Sequence, residues 1–169
     1  MVLFGVLLVL AQPAAPDVSG TWKLDPERSR VSAEPGWPGL IGAGAPERIH
    51  ITQAANGTLV IESEINESHA RIYKPGGTSS TPVAQTSTIT MASRWEARTL
   101  ASEGNLAPPS AAPTRVKEAI ALSDDGRTLT VGITASGPGS TNASTLVYTR
   151  TELVEPCEKW STPCKAPGN

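Results

Sequence analysis

Apolar and polar residues alternate along most of this chain. Ile49 and Ile51 fall on one face of a segment with His50 on the other, and Leu129 and Val131 alternate with threonines in the same way. A period of two places one face of a β-strand in a core and the other in water. An Asn-Gly pair and an Asp-Gly pair each separate two such segments, which favours antiparallel hairpins. The pattern therefore predicts an all-β domain.

The predicted strands follow one another closely along the chain. Three hairpins are expected to join residues 48–53 with 58–65, 86–95 with 99–102, and 116–123 with 128–135, and single strands are expected at 21–24, 70–74 and 144–153. Residues 107–114 and 137–142 are predicted to be loops. About eight or nine consecutive strands close most simply into an antiparallel up-and-down β-barrel, which leaves no free edge; a sandwich of two sheets is the alternative.

A helix-start pattern follows the first strand. Asp25 is a residue type that caps helices, Pro26 suits the first helical position, and Glu27 suits the positive end of the helix. We therefore predict a short helical turn after the first strand.

A long loop is predicted over residues 31–46. Its three prolines and four glycines disfavour regular structure. The loop nevertheless carries the apolar residues Trp37, Leu40 and Ile41. Such a loop either plugs one end of the barrel or forms a lid that contacts a ligand.

The chain divides into four predicted parts. Residues 1–11 are read as a signal peptide, because an apolar run of about ten residues is too short to span a bilayer, which needs roughly 20; a buried strand is the alternative. Residues 12–18 are a linker, residues 19–154 the barrel, and residues 155–169 a tail. We expect a secreted or periplasmic protein with no stable membrane insertion once the signal is removed.

The two cysteines of the chain, Cys157 and Cys164, lie in this tail. In an exported protein an isolated pair usually forms a disulfide, which here would close a small loop around Trp160. Neither histidine lies nearby to complete a metal site, and a redox-active pair usually has two intervening residues rather than six. A disulfide that pins the tail is therefore predicted.

Composition and charge narrow the classes of partner. A chain of 169 residues suits one domain, and 38% hydrophobic residues suffice for one core. A net charge of −2 provides no basic field, so we expect no nucleic-acid partner.

Three short segments resemble a known group of proteins. They are residues 20–24 (GTWKL), 122–130 (LSDDGRTLT) and 146–150 (LVYTR). The chain resembles exported bacterial lipocalin-like (calycin-type) β-barrel domains, mostly of undefined function, over most of residues 17–153. The resemblance implies structural roles for Gly20, Trp22 and Arg150, with Trp22 at the closed end of the barrel and the Arg150 guanidinium over its indole.

One acidic residue is a candidate for the interior. Glu118 alternates in phase with Ile120 and Leu122, which predicts that it points into the barrel. A carboxylate there needs water at the barrel mouth or a buried partner, for which Arg94, Arg98 or a ligand are the candidates.

The remaining chemistry is sparse. His50 and His69 are expected at solvated positions, and no nucleophile motif or phosphate-binding loop accompanies them. We predict no catalytic residue, no metal and no cofactor.

The leading hypothesis is an exported, non-enzymatic, lipocalin-like barrel that binds a small apolar molecule. Its candidate ligand-binding residues are Trp37, Leu40, Ile41, Trp95, Glu118 and Tyr148. The alternative is a protein-interaction module of the cell envelope, such as a protease-inhibitor-type barrel that acts through residues 12–18. An isomerase or hydrolase that uses Glu118 is a third possibility.

Overall fold

The computed structural model describes residues 15–32, 40–41, 44–63, 70–84, 87–107 and 112–151. Within these ranges the chain forms a nearly closed, antiparallel up-and-down β-barrel without helices. The all-β prediction is confirmed, but eight or nine strands is wrong, because the sheet has ten. Their bounds are β1 Gly20–Leu24, β2 Arg48–Gln53, β3 Leu59–Ser63, β4 Arg71–Tyr73, β5 Gly77–Ala84, β6 Ser87–Glu96, β7 Thr99–Ala107, β8 Thr114–Leu122, β9 Thr128–Gly137 and β10 Ser140–Arg150.

The strand order is β4-β3-β2-β1-β10-β9-β8-β7-β6-β5, with every neighbouring pair antiparallel. The first strand joins the last, with Trp22 opposite Arg150. All other pairs are consecutive in sequence, so each connection crosses one end of the barrel. The connection from β1 to β2 lies at the same end as those from β3 to β4 and from β5 to β6.

The strand that the sequence pattern missed is β5. Its residues, Gly-Thr-Ser-Ser-Thr-Pro-Val-Ala, show no alternation of apolar side chains, and they include Pro82. Proline cannot donate to a sheet and is found in edge strands. β5 is such a strand, since it pairs with β6 on one side only.

The seam between β4 and β5 is joined by side chains rather than by a ladder. The Ser79 hydroxyl donates to the Ile72 carbonyl at 2.5 Å, and the Thr81 hydroxyl accepts from the Ile72 N–H at 3.4 Å. A short parallel bridge between Pro75 and Ser93 connects the turn between β4 and β5 to β6. The barrel is therefore weakest here.

The predicted helical turn after β1 is wrong. Residues 26–28 form a plain turn, in which the Asp25 carboxylate accepts from the Arg28 N–H at 3.1 Å. The chain then stays extended, because Arg30 exchanges two main-chain hydrogen bonds of 2.7 Å with Thr145 of β10. Pairing with a neighbouring strand replaces the hydrogen bonds that a helix would have made.

One predicted loop is also shorter than expected. Residues 137–142 were expected to be irregular, but β9 reaches Gly137 and β10 begins at Ser140. Only Pro138 and Gly139 form the turn, and Gly139 adopts the positive φ of 85° that such a tight connection requires. The other predicted loop, residues 107–114, is flanked by β7 and β8, and its residues 108–111 lie outside the described ranges.

The core fills the barrel from the inward face of each strand. Leu129, Val131 and Ile133 of β9 are buried, and each alternates with a more exposed neighbour. Trp22, Tyr73 and Tyr148 are the largest side chains that are fully buried. Among the described residues, no helix has the length and apolar character needed to cross a membrane.

Candidate functional site

Trp22 closes one end of the barrel. The guanidinium carbon of Arg150 lies 4.4 Å from the centroid of the indole ring, which is fully buried. Arg150 also donates to three main-chain carbonyls, those of Gly126 at 3.0 Å, Ser19 at 2.9 Å and Asp17 at 3.3 Å. A cation over an indole face is favourable, so Arg150 ties the first strand, the β8–β9 turn and the last strand to the ring.

Gly20 allows this contact. Its φ is 130°, and a Cβ at this position would lie 3.4 Å from Nη1 of Arg150. A residue with a side chain would be strained at this φ, although its Cβ would be in ordinary contact with the guanidinium.

The residues just before β1 pack against the same end of the barrel. Pro16 and Val18 are buried. The Val18 carbonyl accepts from Nε1 of Trp22 at 3.1 Å, and the side-chain amide of Gln53 donates to the Pro16 carbonyl at 3.3 Å. This segment therefore lies along the barrel rather than projecting from it.

A polar cluster crosses the interior of the barrel. Glu118 of β8 forms a buried ion pair with Nη2 of Arg71 on β4, and its second oxygen accepts from the Tyr73 hydroxyl at 2.7 Å. Because β4 and β8 are not neighbours in the sheet, these contacts span the lumen. The Arg71 and Glu118 side chains are 3% and 0% exposed.

The prediction that Glu118 points inward agrees with this geometry, but its expected cationic partners were wrong. Arg94 pairs with Glu96 on the surface at 2.5 Å, and Arg98 donates to the carbonyl of Ser123. Sequence reasoning missed Arg71 and Tyr73. A three-residue strand is too short to show which face points inward, although their in-phase spacing around Ile72 was a weak signal.

Burial and charge set the protonation states in this cluster. Burial alone would lower the pKa of Arg71, but the negative charge of Glu118 and its hydrogen bond with the guanidinium outweigh burial, so the pKa rises and the guanidinium stays charged. Burial raises the pKa of Tyr73 well above its ordinary value, and the adjacent negative charge of Glu118 raises it further. Tyr73 is therefore a neutral donor at physiological pH.

Two hydrogen-bond donors on the inward faces lack acceptors. Nε of Arg71 and Nε1 of Trp95 are buried and have no hydrogen-bond partner within the described part of the chain. Trp95 occupies the same face of β6 as the buried Ile89, Met91 and Ser93. Unpaired buried donors are uncommon in folded proteins, and they indicate water or a ligand.

Hydroxyl groups extend the polar part of the lumen. Ser93, Ser102 and Glu118 follow one another across β6, β7 and β8, and the Ser102 hydroxyl donates to that of Ser93 at 2.8 Å. All three are buried. One region of an otherwise apolar interior can thus form hydrogen bonds.

Leu40 and Ile41 lie beside this cluster. Leu40 is 0% and Ile41 6% exposed, and with Arg71, Thr81 and Val83 they border a space with no room for a water molecule. The two apolar residues therefore plug the barrel next to the β4–β5 seam.

The other predicted ligand-binding residues are placed differently. Tyr148 is fully buried, but its hydroxyl donates to the Pro46 carbonyl at 3.1 Å, and burial raises its pKa. The structure thus brings Leu40, Ile41 and Glu118 together around Arg71, while the Tyr148 hydroxyl is engaged elsewhere. Several predictions concern residues outside the described ranges, namely the signal peptide at 1–11, Trp37, His69, and the disulfide between Cys157 and Cys164.

His50 is not solvated as predicted. It occupies the face of β2 opposite to Ile49 and Ile51, yet it is fully buried, and its Nδ1 lies 3.3 Å from the Thr21 hydroxyl. β2 is therefore covered on both faces at this point, which an alternating pattern does not reveal. Among the described residues, no group of three or more His, Cys, Asp or Glu side chains is placed to hold a metal.

A second concavity lies on the outside of the barrel. This outer groove, of about 320 Å³, has a floor of small residues on β7, β8 and β9, with charged side chains at its rim. The rim carries Glu103, which accepts from Arg115 at 2.8 Å and pairs with Lys117 at 3.7 Å. The arrangement is that of an exposed, charge-balanced surface.

Comparisons with known proteins add no family. No protein-family model matches the chain, and no curated protein is similar enough to count as a relative.

Proposed function

We propose that this chain is an exported, non-enzymatic, lipocalin-like barrel that binds a small, mainly apolar molecule. The observation that carries the proposal is the pair of unpaired donors, Nε of Arg71 and Nε1 of Trp95, which find no acceptor in the described part of the chain. Each unpaired buried donor costs about 1–3 kcal/mol. A ligand that supplies acceptors recovers that free energy.

The composition of the interior supports the same function. Ligand pockets are lined mainly by apolar side chains with a few converging polar groups that set orientation. Here the apolar lining that most of the strands provide surrounds one polar cluster, built from Arg71, Tyr73 and Glu118. Glu118 accepts hydrogen bonds from Arg71 and Tyr73, so it is suited to hold the Arg71 guanidinium in place rather than to transfer a proton.

Access to the cluster requires movement of the plug. Leu40 and Ile41 lie against Arg71, and the space they share admits no water. We therefore place the route for the ligand at the β4–β5 seam, where two side-chain hydrogen bonds replace a ladder. If an apolar ligand displaces the Leu40 and Ile41 side chains, the apolar surface that they expose is offset by the apolar surface that the ligand buries. The net free-energy cost of the displacement is therefore small.

Lipocalin-like character and export are parts of the same proposal. The contact between Trp22 and Arg150 supports a lipocalin-like closed end. Export is supported by the apolar run that precedes the barrel. A secreted or periplasmic location would be tested by fractionating cells that express the whole chain.

The decisive experiment is a binding titration. The purified chain is titrated with a fluorescent apolar probe and with aliphatic ligands, while tryptophan emission and heat are recorded. Trp95→Phe should weaken binding by about five- to tenfold, the equivalent of one hydrogen bond of ~1 kcal/mol, without destabilising the free protein. Absence of saturable binding to the wild-type chain would refute the proposal.

Trp22→Phe is the matched control for this variant. Nε1 of Trp22 donates to the Val18 carbonyl, so its loss should lower the stability of the free protein and leave the binding constant unchanged. A loss of affinity in Trp95→Phe and a loss of stability in Trp22→Phe would separate a binding role of one tryptophan from a structural role of the other.

A protein-interaction module is the second candidate, and the outer groove favours it. Its rim of ion pairs around Glu103 and its floor of small residues could accept a side chain of a partner. Inhibition of a protease through residues 12–18 is disfavoured, because Pro16 and Val18 pack against the barrel. A pull-down from envelope extract, repeated with Ala119→Arg to block the groove, tests this candidate.

A further inference from the structure

The charges inside the barrel are already balanced. Arg71 carries one positive charge and Glu118 one negative charge, and both side chains are almost completely shielded from water. Tyr73 is kept neutral, and it donates to the second oxygen of Glu118. Within the described residues, no other charged side chain lies buried on an inward face: Glu62, which is also buried, occupies the face of β3 opposite to the inward Ile61.

The polar groups that lack a partner on the inward faces of the described strands are donors. Nε of Arg71 and Nε1 of Trp95 carry N–H groups that lack acceptors in the described part of the chain. Both oxygens of Glu118 already accept hydrogen bonds. Acceptor atoms of a ligand would satisfy these two donors, and the balanced pair of Arg71 and Glu118 calls for no additional charge.

A carboxylate ligand would upset this balance. It would lose its hydration on entering the lumen, and it would lie near Glu118, whose charge repels it. Arg71 could compensate one carboxylate fully but not two. A neutral carbonyl or hydroxyl oxygen accepts the same hydrogen bonds at a much smaller cost of desolvation.

We infer that the barrel selects apolar ligands whose polar group is a neutral acceptor, such as a ketone, ester or alcohol oxygen, over the corresponding carboxylates. Arg71 is the group that binds the acceptor, and Glu118 is the positioning residue that excludes a second negative charge. The inference rests on the proposed function and names the class of ligand for that same interior site.

The test uses three ligands with the same alkyl chain: a medium-chain fatty acid, the matching primary alcohol and the matching methyl ketone. Each is titrated into the full chain at neutral pH, with heat and tryptophan emission as readouts. The ketone and alcohol should bind about tenfold more tightly than the acid, or ~1.4 kcal/mol. The affinity for the acid should rise as the pH falls through the pKa of the ligand, because the neutral acid is then the bound form.

Glu118→Gln should reverse the preference, since it removes the negative charge and leaves Arg71 uncompensated. Glu96→Gln is the control, because Glu96 is a surface carboxylate paired with Arg94, and it should keep the wild-type preference. If Glu118→Gln does not fold, the wild-type comparison of the three ligands decides alone. Tyr73→Phe, which keeps the charges balanced, should retain the preference for neutral ligands.

The outcomes separate the two proposals. Equal or tighter binding of the carboxylate by the wild-type chain would overturn this inference and leave the proposed function standing. Failure of all three ligands and of the apolar probe to bind would overturn both. Tighter binding of the neutral ligands, reversed only in Glu118→Gln, supports the inference.

Discussion

Replacement of Arg150 by methionine tests the closed end of the barrel most directly. The change removes a guanidinium that lies 4.4 Å from the centroid of Trp22 and donates to the carbonyls of Gly126, Ser19 and Asp17. The contact with the ring contributes about 0.5–2 kcal/mol. Hydrogen bonds from a charged donor contribute about 1.5–3 kcal/mol each when buried. Because Arg150 is only half-buried, water can replace part of these bonds, so we expect a total loss of about 2–4 kcal/mol.

Two further variants divide this loss. Arg150→Lys keeps a positive charge near the ring but cannot reach three carbonyls at once, because an ammonium lacks the planar fork of a guanidinium. It should lie between the wild type and Arg150→Met. Arg94→Met is the control, since Arg94 is 69% exposed and makes one surface ion pair, which contributes at most about 1 kcal/mol.

The assay is denaturation in urea at neutral pH, followed by circular dichroism, with the free energy of unfolding taken by linear extrapolation. Intrinsic tryptophan emission provides a second probe that reports on the closed end. If Arg150→Met lowered the free energy of unfolding by no more than Arg94→Met does, the reasoning would be refuted. A change in the slope of the transition, rather than in its midpoint, would mean that the compactness of the unfolded or folded state has changed or that the barrel no longer unfolds in one step.

Two other predictions concern the walls and the interior of the barrel. Gly104→Ala should lower the free energy of unfolding by about 3 kcal/mol or more, because a Cβ there would lie 1.8 Å from the Thr90 carbonyl oxygen of the paired strand. Gly132→Ala is the control: a Cβ there would have nothing within 4 Å, so the same urea assay should show a change of less than about 0.5 kcal/mol. Equal effects of the two substitutions would contradict the strand geometry. The chain's two tyrosines, Tyr73 and Tyr148, both have pKa values raised by burial, so the folded state binds their protons more tightly than the unfolded state does. Their contribution to stability is complete below about pH 10 and declines above it, so phenolate absorbance in an alkaline titration should appear only as circular dichroism is lost. A phenolate signal from a folded barrel would contradict this.

Much of the barrel was predictable because its strands repeat one local rule. The alternation of Ile49 and Ile51, and of Leu129 and Val131, with polar residues indicates the buried face of their strands, and the Asn-Gly and Asp-Gly turns mark where two of the hairpins reverse. β5 broke the rule. On its inward face Ser79 and Thr81 are buried, and Val83 is the only large apolar side chain on that face, while Thr78 and Ser80 are exposed on the other face.

Only part of the candidate site could be predicted from the sequence. The phase of Glu118 with Ile120 indicated its direction, and the structure places it inside. Its partner Arg71 could not be inferred, because the two residues are 47 positions apart and meet across the lumen rather than along a strand pair. Which strands face each other across a barrel depends on strand number and stagger, and neither is a local property of the chain.

The sequence alone determined that the chain forms strands, where most of them lie and which face of each is apolar, because these properties arise from neighbouring residues. Only the tertiary structure decided that ten strands of the described residues surround the lumen, that β1 pairs with β10, and that Arg71 and Glu118 neutralise each other inside. Closure brings distant positions together in a space without water, and there the cost of an unpaired charge or donor selects the partners.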